Sequence, residues 1–241
     1  MNILDAATIA RFAYSDPAAS HGTTDIELKN GKHKYDYKFL DVMNTQCYVL
    51  EDDENVIFTI RGSKEFEDFA DTLKVWGTDV RYMPEVGEVH SGFYEGVTDI
   101  ILDVTEIVNH TNKKVFFIGH SLGGSVAKLL GLRFKEQNVT VYTFGEARSC
   151  KKKTSAGNSK FIRVVNNCDL VPRLHVRYKF AVRGDTFLYI NTSGKIKKNP
   201  SKLYTLCDVL LACSLRLVNL RAPFESITDH LMTEYIRHLD E

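Results

Sequence analysis

The sequence has no surplus of charge. Its 241 residues carry 31 Lys and Arg against 31 Asp and Glu, a formal net charge of zero. Chains that hold nucleic acid or an anionic membrane by general electrostatics show a basic excess, so neither attachment is suggested and no nucleic-acid partner is expected. The longest basic run, Lys151–Lys153, reads as a solvated loop. Long apolar runs are missing too. No stretch reaches the roughly 18 uncharged apolar residues of a membrane-spanning helix, and the nearest, Leu203 to Val218, is broken by Asp208 and Arg216. Cysteine is sparse: Cys47, Cys150, Cys168, Cys207 and Cys213 are odd in number and never spaced C-x-x-C. That argues against a disulfide framework and against a zinc site, and for a reducing interior with buried or idle thiols. The first twenty residues lack the basic start and unbroken apolar segment of a secretory leader. Asp5 followed by Ala6, Ile9, Ala10 and Ala13 reads instead as a capped amphipathic helix of the fold. The expected location is cytoplasmic.

What remains is ordinary globular composition, 44% apolar and 26% charged, with no repeat, low-complexity tract or linker. The whole chain, 1–241, is therefore expected to form one domain. Short apolar runs alternate with helical patterns. "QCYVLE" and "NVIFTIRG" read as neighbouring strands around the acidic turn "DDEN". "YEGVTDIILDVTEIVNH" sets Val97, Ile100, Ile101, Val104, Ile107 and Val108 on one helical face. "KKVFFIG", "TVYTFG", "FIRVVN" and "TFLYIN" are further strands, the last nearer an edge. Strand and helix in alternation predict an α/β fold, a mostly parallel central sheet with helices on both faces. Its functional crevice should lie at the carboxyl ends of the strands.

Ser121 stands at such an end. Gly119-His120-Ser121-Leu122-Gly123 fits G-x-S-x-G, with a buried strand before it and an apolar helix after it. In that setting the turn is sharp, the serine backbone is strained, and glycines let neighbouring chains pass close. The helix behind Ser121 aims its amides and partial positive charge at any anion forming there. The bland alternative is a structural turn that merely wants small residues, and the flanking strand, helix and Gly124 weigh against it.

A serine is a poor nucleophile without a base and an orienting acid. Three histidines follow Ser121: His175, His230 and His238. His175 falls in a basic stretch and His238 is three residues from the chain end, where fraying works against a fixed site. His230 sits where a loop gives way to a closing helix and is the candidate base. Asp169 follows directly from a buried strand, is held by Pro172, and is the candidate acid. Asp185 and Asp208 are its rivals, one opening a strand and the other inside an apolar helical pattern.

These blocks together resemble the class 3 lipases, the group of the filamentous-fungal triacylglycerol lipases and their plant relatives. "FTIRGSKEFEDFADTL", "VHSGFYEGV", "FIGHSLGGSVAKLL", "YTFGEARS", "FIRVVNNCDLVPRL" and "SITDHLMTEY" occur in the family's order between about Gln46 and Tyr235. The resemblance implies an α/β-hydrolase fold in which Ser121 is the nucleophile, Asp169 the acid and His230 the base. It implies that the Ser63 amide forms half of an oxyanion hole and the Leu122 amide the other half, with Arg61 and Gly62 holding the loop. It also implies a lid segment, here carrying Phe66 and Phe69 among five charges, a weak grip on lipid for that family. Ala147 and Ser149 replace the proline and glycine common after "TFG". The implied activity is hydrolysis of acyl glycerolipid esters, with a lipid or ester substrate, transient contact with a lipid interface, and no cofactor or metal. Phospholipase A1 action, a short-chain esterase, a serine peptidase, or an inactive lipid- or protein-binding module are the alternatives. The Leu203 to Leu220 helix is expected to pack into the core, against a second reading as an acyl groove or membrane-leaning surface.

Overall fold

A computed structural model of the chain describes residues 1–62, 79–173, 178, 182–183, 185–218 and 228–240. Helix α1 (Ile3–Phe12) comes first. Its cap is Asn2, whose side-chain oxygen accepts the Asp5 N–H at 2.8 Å, as an N-cap side chain does for the third helical amide. Asp5, expected as the cap, lies inside the first turn and accepts the Lys29 N–H at 2.9 Å. An antiparallel meander follows: β1 (His21–Leu28), β2 (Gly31–Val42), β3 (Thr45–Glu51) and β4 (Asn55–Ile60). The hairpin β5 (Val80–Met83) and β6 (Gly87–His90) leads into α2 (Ser91–His110).

The next elements are β7 (Lys114–His120), α3 (Ser121–Arg133), β8 (Thr140–Phe144), the short β9 (Thr154–Ser155), and β10 (Lys160–Asn166). A single 3-10 turn, Val171–Arg173, then precedes β11 (Val182–Arg183), β12 (Thr186–Ile190) and β13 (Ile196–Lys198). Helices α4 (Lys202–Val218) and α5 (Met232–Asp240) close the described chain. Nine strands form one sheet in the order β1-β2-β3-β4-β7-β8-β10-β12-β13. Its centre, from β4 to β12, is parallel, and the antiparallel pairs lie at its two margins. The edge position of "TFLYIN" is close to what its pattern implies: β12 is next to last.

Two cores sit on opposite faces of the sheet. On one, Val97, Ile100 and Val104 of α2 and Val126, Leu129 and Leu130 of α3 meet Phe58, Phe117 and Val141. On the other, Ala6, Ile9 and Ala10 of α1 and Tyr235 of α5 meet Ile57, Ile118 and Phe144. The 3.6-residue spacing in α2 and the period-2 alternation in β7 produce this division. Helix α4 departs from expectation. Ala212 is buried, but Leu203, Leu206, Leu210 and Leu211 are all exposed. Over its described side chains, 202–214, this helix therefore does not bury its leucine stripe, contrary to the expected core packing; the remainder of that stretch lies outside the described side chains. No described helix is long and apolar enough to cross a membrane.

Candidate active site

β7 runs straight into α3, and Ser121 is the residue at the junction. Its φ of +57° lies in the left-handed region that costs a non-glycine residue energy. Close packing enforces the corner. A Cβ added to Gly119 would stand 2.3 Å from the Gly123 carbonyl oxygen, and one on Gly123 would stand 2.2 Å from the Ile60 carbonyl oxygen. Neither position admits a side chain while the helix start stays against β4. Ser121 is 3% exposed. His120 precedes α3 without giving it a side-chain cap, so the first helical amides, that of Leu122 among them, remain to meet an anion.

Asp169 and His230 meet across 61 residues of sequence. His230 Nδ1 is 2.9 Å from both carboxylate oxygens of Asp169. An ionised carboxylate has no proton to give, so Nδ1 carries the hydrogen and Nε2 is left as the basic nitrogen. Asp169 is fully buried and accepts two further bonds, from the Val171 N–H at 2.9 Å and from Tyr235 Oη at 2.6 Å. The buried charge is thereby met by three donors. Gly145, with φ +56°, makes this approach feasible: a Cβ there would lie 2.6 Å from Asp169 Oδ2 and 3.0 Å from His230 Nδ1.

His120 ties the serine corner to this pair. Its Nε2 is 2.6 Å from the His230 carbonyl oxygen, and its Nδ1 is 2.8 Å from Tyr14 Oη. A carbonyl only accepts, so Nε2 holds the proton and Tyr14 donates to Nδ1. Burial, and after it the nearby His230, holds the His120 pKa well below its usual 6.5, consistent with a neutral ring. Its ring centroid is 4.5 Å from that of His230. Among the described residues no hydrogen bond joins Ser121 Oγ to His230. In ligand-free sites such bonds are often long and tighten only with substrate bound.

The Arg61 side chain, 7% exposed, reaches Gln46 Oε1 at 3.1 Å and the Tyr14 carbonyl at 3.2 Å. It ties the end of β4 to β3 and to the chain just after α1; the loop it was expected to hold lies outside the described residues. Arg61, Gly62 and Leu122 join Asp41, Met43, Asn44 and Gln46 around an open cavity of about 270 Å³, near the lower end for ligand sites. Ser63, Phe66 and Phe69, expected in the oxyanion hole and the lid, lie outside the described residues, as does His175. His238 sits on the last turn of α5, its Nε2 3.0 Å from an Arg237 guanidinium nitrogen. Asp185 pairs with Arg163 at 3.5 Å, and Asp208 accepts from Tyr189 Oη at 2.9 Å, so neither rival acid contacts His230. The sequence reading passed over Tyr14, His120, Gly145 and Tyr235. Three of them fall inside or beside quoted motifs, but a hydrogen-bond role leaves no periodic signal.

A family model described as Lipase (class 3) matches residues 57–179. A lipase of Rhizopus niveus is 28% identical over 209 residues, which is 78% of this chain and 50% of that protein. A triacylglycerol lipase of Arabidopsis thaliana is 26% identical over 75% of this chain and 46% of its own length. The chain thus spans about half the length of these curated relatives. The solved triacylglyceride lipase of Rhizomucor miehei superposes with a TM-score of 0.63 at 19% identity, covering 94% of this chain and 90% of that one. That likeness establishes a shared α/β-hydrolase fold.

Proposed function

The chain belongs to the class 3 lipase family, and on that premise we propose that it is a serine carboxylic-ester hydrolase acting on acyl glycerolipids. The observation that carries the reading is the buried Asp169–His230 pair, linked through His120 to a serine with positive φ at the uncapped start of a helix. A merely structural turn has no use for a strained serine or for a buried, tautomer-fixed imidazole.

Ser121 Oγ attacks the ester carbonyl as His230 Nε2 takes its proton. The carbonyl π pair moves onto oxygen, and the Leu122 and Ser63 amides hold the resulting oxyanion. Asp169 stabilises the imidazolium through Nδ1–H. When the tetrahedral species collapses, the bond to the alcohol oxygen breaks and His230 returns the proton to that alcohol. A water then gives its proton to Nε2 and adds to the acyl-serine, and collapse releases the carboxylic acid and restores Ser121. No step calls for a metal or organic cofactor. The lipid class of the substrate is supported by the names of the relatives, lipase and triacylglycerol lipase.

Replacing the nucleophile tests the reading. Ser121→Ala should lower turnover of ester substrates by about a millionfold, and the unmodified protein should be labelled at Ser121 by a fluorophosphonate. An inert serine, or a Ser121→Ala protein that still cleaves esters, overturns the assignment and favours a binding module. Rates against p-nitrophenyl esters of rising chain length, beside glyceride and phospholipid panels, separate a lipase from a short-chain esterase or a phospholipase A1.

A further inference from the structure

Helix α4 is amphipathic in the inverted sense. Its polar side holds it to the sheet: Asp208 accepts from Tyr189 Oη at 2.9 Å and from the Thr192 N–H at 3.1 Å, and Tyr204 Oη is 3.0 Å from Asn191 Nδ2. The apolar side looks outward. Leu203, Leu206 and Leu210, spaced i, i+3 and i+7, form one stripe with Leu211 beside it, and these four are 53–69% exposed. Surface helices normally do the reverse, and contiguous exposed leucines mark a surface that something apolar covers. Between 203 and 214 the only charged residue is Asp208, turned to the sheet, so the outward face carries no charge.

Lysines border that face. Lys202 opens the helix, and Lys195, Lys197 and Lys198 lie on and beside the edge strand β13. Lys197 stands opposite Tyr189 in register, and directly opposite residues share a face of a sheet. The Tyr189 ring is 6.4 Å from that of Tyr204 on α4, so Lys197 lies on the helix side of the edge, whereas Lys198, opposite Leu188, lies on the other face. Among the described residues no carboxylate pairs with these four lysines.

We propose that the leucine face of α4, with the lysines of the β13 edge beside it, docks this protein on an anionic lipid surface. An uncharged apolar stripe beside unpaired lysines matches the acyl and headgroup layers of such a surface in one contact. A second copy of the chain fits less well. Four leucines on one helix fall short of the about 800 Å² per partner of a standard interface, and the face offers no outward carboxylate to a neighbour's lysines. The neutral net charge had pointed away from anionic membranes, but it averages over a tract that the fold gathers at one edge.

The location suits the proposed hydrolase, on which only the purpose of the docking rests. Thr192 Oγ1 donates to the Asp208 carbonyl at 3.1 Å and accepts from Asn167 Nδ2, and Asn167 lies two residues before Asp169. The helix is thus fastened to the acid-bearing turn, at the carboxyl ends of β10 and β12. Leu170 and Leu231, flanking Asp169 and His230, are exposed there as well.

Sedimentation with vesicles tests the docking, using the full chain carrying Ser121→Ala so that no lipid is consumed. Vesicles of phosphatidylcholine with about 30 mol% phosphatidylserine should bind at least tenfold more protein than phosphatidylcholine alone, and less as salt rises from about 0.1 M to about 0.5 M. Leu206→Gln with Leu210→Gln, and separately Lys197→Gln with Lys202→Gln, should each weaken binding about tenfold. With Ser121 intact, the same changes should leave hydrolysis of a soluble short-chain ester within about twofold, which also shows that the variants fold. Equal binding to both vesicle types, or vesicle binding that neither set of changes weakens, overturns the proposal. So does a concentration-dependent dimer that only the leucine changes dissolve. Sedimentation reads docking without turnover: failure here leaves the hydrolase reading standing, and a catalytically inert wild type that still sediments fails that reading alone.

Discussion

At the scale of single residues, Tyr235 and His120 matter as much as the three residues the motif points to. Tyr235 Oη donates to Asp169 and accepts the Asn166 N–H at 3.0 Å, so Tyr235→Phe strips one donor from a buried carboxylate and leaves a buried amide without its acceptor. The expected loss is about 1.5–3 kcal/mol of unfolding free energy, read from urea denaturation. If Tyr235 also positions Asp169, kcat falls while KM holds. His120 makes a prediction with a definite sign. Its folded pKa is depressed below 6.5, chiefly by burial, so below about pH 6.5 the unfolded chain binds a proton that the folded chain refuses, and stability drops as pH falls. The urea midpoint should decline between about pH 7.5 and about pH 5.5, and decline less in His120→Asn. Ser121 was legible because its neighbours are glycines in a recognised spacing. Tyr235 was not, because one hydroxyl bond leaves no pattern in the chain.

At the scale of elements, α3 is the piece on which the site turns. It is buried almost all round, including Lys128, whose Nζ meets Glu146 Oε1 at 3.2 Å with both side chains under 4% exposed. Glu146 directly follows Gly145, so this pair holds α3 to the loop that touches Asp169 and His230. Breaking it by Lys128→Met alone should cost about 3–5 kcal/mol, whereas Lys128→Met with Glu146→Leu should come out near neutral. Urea denaturation of the single and double variants reads the difference. Gly123→Ala should be more severe than a typical surface change, losing more than about 3 kcal/mol, because the added carbon collides with backbone of β4 rather than with a movable side chain. Helices α2 and α3 could be read from their spacing since both bury the apolar stripe that the spacing defines. In α4 the stripe has the same spacing and faces out. Periodicity reports that a helix has two faces and says nothing about which one meets the sheet; the hydrogen bonds of Asp208 and Tyr204 made that choice.

At the scale of the whole molecule, charge neutrality has a measurable consequence. With formal net charge zero and an isoelectric point near 7.1, long-range repulsion between copies is weakest around neutrality. Solubility in low salt should pass through a minimum near pH 7, and the Leu206→Gln, Leu210→Gln protein should shallow that minimum. A pH series of saturation concentrations would show it. The layered arrangement was largely readable, since a parallel centre requires crossover helices and the chain supplies them in order. The split of the apolar residues into two cores also follows from alternation along β7 and its neighbours. The antiparallel run from β1 to β4 was only half seen, because β1 and β2 are polar strands with few buried residues.

By itself the sequence determined the alternation of strand and helix, the glycine-bounded serine, and the order of blocks that marks the family. These are properties of neighbouring residues, and sterics and periodicity act locally. Only the tertiary structure decided how closely the Asp169 carboxylate and the His230 imidazole meet, that Tyr235, His120 and Tyr14 stand behind them, and which side of α4 is left to solvent. Those outcomes rest on contacts between residues tens of positions apart, formed when the sheet brings strand ends together, and no local pattern encodes them.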